Sequence, residues 1–130
     1  MKVLDASVVI KLLIHEQGSN KVRELVDSGE VLLVPDIIFV EIANTLATKT
    51  RLSPAQVIRG LELVYQMGFR EIHINKEILL ASASAAKKMG TAVYDMIYAQ
   101  IAKKRGLKLI TADVNFARKT GFDFITLLKD

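Results

Sequence analysis

From Val31 to Val34 the chain reads Val-Leu-Leu-Val, four residues with no polar side chain between Glu30 and Pro35. A run this short cannot make a helix, and one this apolar does not belong in an exposed loop. It reads as a strand covered on both faces, which is how strands of a parallel sheet look. The same reading applies to Val3-Leu4-Asp5 and to Leu107–Thr111, and more weakly to Glu71–Ile74 and to an edge strand at Phe124-Ile125. Between these runs the apolar residues fall at helical spacing. Ser7 is positioned to cap a helix through Leu13, and Ser19 or Asn20 one that stops at Gly29. Pro35-Asp36 leads into a helix from Ile37 to Thr48. Ser53-Pro54 starts another that stops at Gly68, and Gly90 and Gly106 close helices over Lys76–Met89 and Val93–Arg105. Asp113–Thr120 makes a short last helix. Strands alternating with helices predict an α/β fold, a mainly parallel β-sheet flanked by helices. With 130 residues and no linker, repeat or low-complexity tract, the expected organisation is a single domain over residues 1–130.

Composition narrows the chemistry. There is no cysteine, which removes disulfides, thiolate catalysis and cysteine-type zinc sites, and the two histidines, His15 and His73, have no metal-ligand spacing. Mean hydropathy is +0.29 and apolar residues make up 51% of the chain, yet no apolar stretch approaches the ~20 residues of a membrane span. Asp5 and Lys11 interrupt any secretory leader, so a cytoplasmic location without membrane association is expected. Net charge is +4 with a pI near 9.4, which suits a polyanionic partner.

Ligands of open α/β sheets bind outside the carboxyl ends of the strands, so the acids that fall there matter most. Asp5 ends the first strand, and Asp113 lies just past the strand that ends near Thr111; either can also serve as a helix N-cap. Glu41 is the only charge from Ile37 to Thr48, and Asp95 the only one from Thr91 to Ala99. Carboxylates in apolar segments with no lysine or arginine nearby are costly unless something offsets them. At about 6 Å and an effective dielectric of about 20, each converging pair repels by roughly 2.8 kcal/mol. Protons, lysines or a divalent cation can relieve this. An all-oxygen donor set favours Mg²⁺ or Mn²⁺ over Zn²⁺, and such an ion in a basic domain points to phosphodiester hydrolysis.

Four segments carry a family resemblance. Val3-Leu4-Asp5-Ala6-Ser7-Val8, Glu41-Ile42-Ala43-Asn44, Tyr94-Asp95-Met96-Ile97-Tyr98-Ala99 and Leu109-Ile110-Thr111-Ala112-Asp113-Val114-Asn115-Phe116 occur in this order across essentially the whole chain. Together they resemble the motifs of PIN-domain ribonucleases, in particular the VapC-type toxins of toxin–antitoxin modules. The resemblance implies a PIN fold, single-strand-directed endoribonuclease activity, and one or two Mg²⁺ or Mn²⁺ ions held by Asp5, Glu41, Asp95 and Asp113 as the catalytic acids. Glu41 is either a ligand or the group that helps deprotonate water. By the same resemblance Ser7 and Thr111 hydrogen-bond within the site, and Asn44 orients Glu41 or a water. Asn115 stands where relatives often carry another polar or acidic residue. RNA as substrate, a cognate antitoxin protein and a homodimer are the implied partners.

The lysines and arginines collect at Lys49/Arg51, Lys87-Lys88, Lys103–Arg105 with Lys108, and Arg118-Lys119. Most lie near helix C-termini, where the dipole alone favours cations. Lys11 stands apart, one or two turns beyond Asp5, and is a candidate to approach the acids or a phosphate. Competing readings are a PIN domain that binds RNA or protein without cutting, and an RNA-processing PIN nuclease without an antitoxin. A phosphoacceptor receiver domain fits poorly, because Asp5 has no adjacent acid and no Asp follows the strand near Ile74.

Overall fold

The structure is a computed structural model and describes residues 1–128. The elements are β1 (Lys2–Leu4), α1 (Ala6–Val9) running into a 3₁₀ turn (Ile10–Leu12), α2 (Ser19–Asp27), β2 (Leu32–Pro35), α3 (Ile38–Thr48), α4 (Pro54–Gln66), β3 (Arg70–Ile72), α5 (Lys76–Met89), α6 (Val93–Arg105), β4 (Lys108–Thr111), α7 (Val114–Thr120) and β5 (Ile125–Leu127). The five strands form one sheet in the order β3-β2-β1-β4-β5, and every pairing is parallel. The α/β expectation holds.

The central strands are short because they are covered on both faces. Val3, Leu4, Leu33, Val34 and Leu109 have no exposed surface. Helix α6 lies against β1, β2 and β4. It buries Met96, Ile97, Tyr98, Ala99, Ile101 and Ala102, covering most of its circumference. That explains why its sequence looks apolar all round rather than on one stripe. Helix α5 packs on α6 instead of on the sheet and needs only a narrow buried face of Ile78, Ser82 and Ala86.

The order of strands creates a switch point. From β1 the chain moves outward through β2 to β3, then returns to add β4 and β5 on the other side. The carboxyl ends of β1 and β4 therefore adjoin, and the Asp5 amide donates to the Ile110 carbonyl at 3.3 Å. A crevice opens at such a point in parallel sheets.

Several local readings are corrected. Ser7 does not cap α1; Asp5 does, its side chain accepting from the Val8 amide. The first helix does not run on regularly to Leu13 but tightens into the 3₁₀ turn after Val9. Helix α2 starts after Gly18, at φ 92, rather than after Ser19 or Asn20. The Ser19 hydroxyl instead accepts from the Glu16 amide at 2.9 Å. Pro35 ends β2 instead of opening α3. The two outer strands sit at Arg70–Ile72 and Ile125–Leu127, not at Glu71–Ile74 and Phe124-Ile125.

Candidate active site

Asp5 leaves β1 just where the strand ends and turns into α1, and it is 8% exposed. Its carboxylate is held from two directions. The Ser7 hydroxyl donates to Oδ1 at 2.5 Å, and the Val8 amide to the same oxygen at 3.2 Å. Oδ2 accepts from the Thr111 hydroxyl. The backbone orients both hydroxyls. Ser7 Oγ accepts from the Ala112 amide at 3.0 Å, and Thr111 Oγ1 from the Asp113 amide at 3.1 Å. Each hydroxyl keeps its own proton free for the Asp5 carboxylate, which as an anion can only accept. The network therefore ties the loop after β1 to the loop after β4, and it suits a charged carboxylate. Burial opposes this and wins. With a further push from Asp95, Asp5 is raised from 3.8 to about 6.

The other three acids arrive on helix starts. Glu41 is in the first turn of α3 and Asp95 in the first turn of α6. Asp113 caps α7, accepting from the Phe116 amide at 3.0 Å. Both Glu41 and Asp95 are half-buried and raised, chiefly by burial. Asp95 also pushes Glu41 up, and Asp113 pushes Asp95 up. Asp95 thus stands electrostatically among all the others, within reach of Asp5, Glu41 and Asp113. Among the described residues none of the four is paired with a lysine or arginine.

Tyr98 is the residue that sequence reasoning passed over. It is 1% exposed, and its hydroxyl donates to Glu41 Oε1 at 2.6 Å. It lies three positions after Asp95 on α6, so both side chains face the same side. Burial, reinforced by the surrounding carboxylates, pushes its phenol far above the usual tyrosine range, so it acts as a fixed donor. The available signal was the tyrosine itself: a hydroxyl in an apolar helix needs a partner.

The supporting residues divide. Ser7 and Thr111 are in the Asp5 network. Asn44, one turn after Glu41 on α3, lines the same groove as Glu41. Its side chain makes no hydrogen bond among the described residues, so nothing ties it to Glu41. Asn115 is exposed and accepts from Arg118 at 2.7 Å, outside the acid cluster's hydrogen bonds. Lys11 is committed elsewhere, donating to Glu16 at 3.1 Å and to the Gln17 carbonyl at 2.7 Å.

The donor set fits a hard divalent cation. It is all oxygen, it carries repulsion that no side-chain cation relieves, and it sits at the switch point. It is not preassembled. Among the described residues no three His, Asp or Glu side chains are placed to close on one ion. Closing three of them on one ion would require side-chain movement.

Comparison with known proteins follows the same lines. The PIN domain family model matches residues 2–121. Ribonuclease VapC3 of Pyrobaculum aerophilum is 31% identical over 122 residues, covering 90% of this chain and 92% of the relative. A toxin–antitoxin complex from Klebsiella pneumoniae contains a chain that superposes with a TM-score of 0.73 at 16% identity, covering 97% of this chain and 96% of that one. VapC20 of Mycobacterium tuberculosis, a toxin that cleaves the sarcin–ricin loop, superposes with a TM-score of 0.75 at 13% identity, covering 94% and 96%. The chain belongs to the PIN domain family and, within it, to the VapC group.

Proposed function

We propose that the protein is an endoribonuclease that hydrolyses single-stranded RNA with Mg²⁺ or Mn²⁺, and that it is the toxin of a toxin–antitoxin pair. The observation that carries this is the set of raised, unpaired carboxylates gathered around Asp95 at the carboxyl edge of β1 and β4. The similarity to a ribonuclease over 90% of the chain supports the substrate class, and the fold shared with a chain of a toxin–antitoxin complex supports an antitoxin partner.

Asp5, Asp95 and Asp113 would hold the ion, with Glu41 completing its shell or accepting the proton of the attacking water. When bound, the ion supplies charge for the phosphate and acidity for water. The protein's own groups prepare for it. Ser7 and Thr111 leave Asp5 only its remaining lone pairs to offer. Tyr98 occupies Glu41 Oε1, so the other carboxylate oxygen is the one turned to ligation or to proton transfer. Asn44 offers an amide within one turn of Glu41, where it would orient a water. Asn115, engaged by Arg118, would act only after that contact opens.

No helix among the described residues is long and apolar enough to cross a membrane. Ile58 and Tyr65, seven positions apart on one side of α4, are exposed, and this apolar strip supports a homodimer. The decisive test of activity is cleavage of labelled single-stranded RNA in Mg²⁺, Mn²⁺ and EDTA. Products in either metal and none in EDTA are expected. RNA retained tightly but never cut would favour a PIN domain that only binds.

A further inference from the structure

Beside the acids lies an open groove of about 410 Å³ that shares Glu41 and Asn44 with the proposed site but whose Val40, Lys49 and Tyr94 have no role in it. Its wall includes Glu41 itself, Ala6 next to Asp5, and Tyr94 next to Asp95, so it is continuous with the acid cluster. Val40, Asn44 and Lys49 complete the part that matters here. Two of these side chains are out of place on an ordinary surface: Tyr94 is 57% exposed and Val40 63% exposed. Tyr94 stands in the first turn of a helix that is otherwise largely buried, and it lines the groove.

We infer that this groove holds one unpaired nucleobase of the RNA beside the bond to be cut, stacked on Tyr94, and that it is a determinant of substrate choice; this rests on the ribonuclease reading above. The three groups a nucleotide requires are present and unengaged. Tyr94 offers an aromatic face, and Val40 an apolar surface beside it. Stacking of this kind is how single-stranded nucleic acid is gripped, because a base in a duplex has no free face. Asn44 offers an amide with both donor and acceptor, and no hydrogen bond among the described residues occupies it, so it can read a base edge. Lys49 offers an ammonium with no ion-pair partner among the described residues, suited to a phosphate.

Three other lysines are engaged within the fold. Lys108 donates to the Asp123 carbonyl, Lys119 to the Gly90 carbonyl, and Lys104 pairs with Glu77. Lys49 is the cation that the groove itself supplies. The mixture of aromatic, amide and cation against one wall favours a nucleotide over an apolar protein segment, which has no use for the ammonium.

The test is binding of a short single-stranded RNA carrying 2-aminopurine, read by fluorescence quenching, in EDTA so that nothing is cut. The wild type should quench the probe. Tyr94→Ala should bind roughly tenfold more weakly, the size of one lost stack, and Tyr94→Phe should bind as the wild type does. Lys49→Gln should reduce the dependence of log K on log salt by about 0.7, the share of a single phosphate contact. Thermal unfolding of Tyr94→Ala should be unchanged, since the ring is mostly in solvent. Equal quenching by wild type and Tyr94→Ala, with RNA cleavage by the wild type intact in metal, overturns the groove and leaves the nuclease standing. Loss of antitoxin binding in Tyr94→Ala with RNA binding unchanged also overturns it, because the occupant is then a protein. A wild type that neither quenches the probe nor cuts RNA overturns the nuclease reading, and the groove with it.

Discussion

Asp5 is held between two opposing demands. The hydroxyls of Ser7 and Thr111 and the Val8 amide all donate to it, which favours the charged form. Burial favours the neutral form and raises its pKa to about 6. A carboxyl group raised on folding adds stability that is complete below its unfolded pKa of 3.8 and is lost as pH rises through its folded value. Glu41 and Asp95 are raised as well, so they act in the same direction. Glu30, lowered mainly by Lys2, acts oppositely but only in more acid solution. The metal-free protein is therefore expected to resist urea better at pH 5.5 than at pH 8. Asp5→Asn should remove most of that difference. It should raise stability at pH 8 by about 3 kcal/mol, from a shift of roughly two pKa units at 1.36 kcal/mol each, while abolishing cleavage. Urea unfolding in EDTA at the two pH values checks the sign; greater stability at pH 8 would refute it.

Tyr98 makes a second prediction at this scale. Tyr98→Phe leaves Glu41 without its donor and should cost about 1.5–3 kcal/mol, the range for a hydrogen bond to a charged group. Cleavage should fall as well. In a Glu41→Gln background the same change should have much less effect on cleavage, because the carboxylate it positions is gone. A double-mutant cycle measures this coupling, and additivity would show that Tyr98 only fills space.

Among the elements, helix starts carry two duties at once. Asp113 caps α7 and is, in the function proposed above, also an acid of the site. Asn caps about as well as Asp, so the two duties separate. Asp113→Asn should fold with near wild-type stability and lose cleavage, whereas Asp113→Ala should lose cleavage and about 1 kcal/mol as well. Chemical unfolding of the two variants side by side tests this.

The same double use explains what was legible in the sequence. Helix ends at Gly90 and Gly106 were readable because each glycine supplies the left-handed turn locally, with φ of 69 and 66. Asn75 and the Ser53 capping box act within four residues. Ser7 was misplaced as a cap because the amide that donates to it, that of Ala112, lies more than 100 residues away and leaves the hydroxyl proton for Asp5. The outer strands shifted for a related reason. A parallel edge strand ends where its neighbour ends, here Pro35 opposite Ile72 and Thr111 opposite Leu127, and local alternation does not reveal a neighbour. Glu41 and Asp95 stood out because each is the only charge in an apolar segment, Asp5 and Asp113 because each follows a strand. Tyr98 did not, since a tyrosine there looks like core until Glu41 is placed beside it.

At the scale of the whole molecule, the fold supplies stability and the site subtracts from it. The core runs through all five strands and their covering helices, and no buried side-chain nitrogen or oxygen among the described residues lacks a partner. The protein should therefore remain folded in EDTA. A cation that binds only the folded form should stabilise it by about 2.7 kcal/mol at a hundredfold excess over its dissociation constant. Calorimetric scans with and without Mn²⁺ test this, and unfolding on metal removal would mean that the ion is structural rather than part of the reacting site.

The central claim is that acids gathered around Asp95 form one metal-dependent cutting site. Asp95 touches the other three electrostatically, so Asp95→Asn is its most direct probe. Cleavage of labelled single-stranded RNA in Mn²⁺ and thermal unfolding in EDTA should be measured on one preparation of this variant beside the wild type. The account predicts no cleavage together with a higher unfolding temperature, because repulsion is relieved while the fold is kept. Full cleavage by a folded Asp95→Asn protein would contradict it.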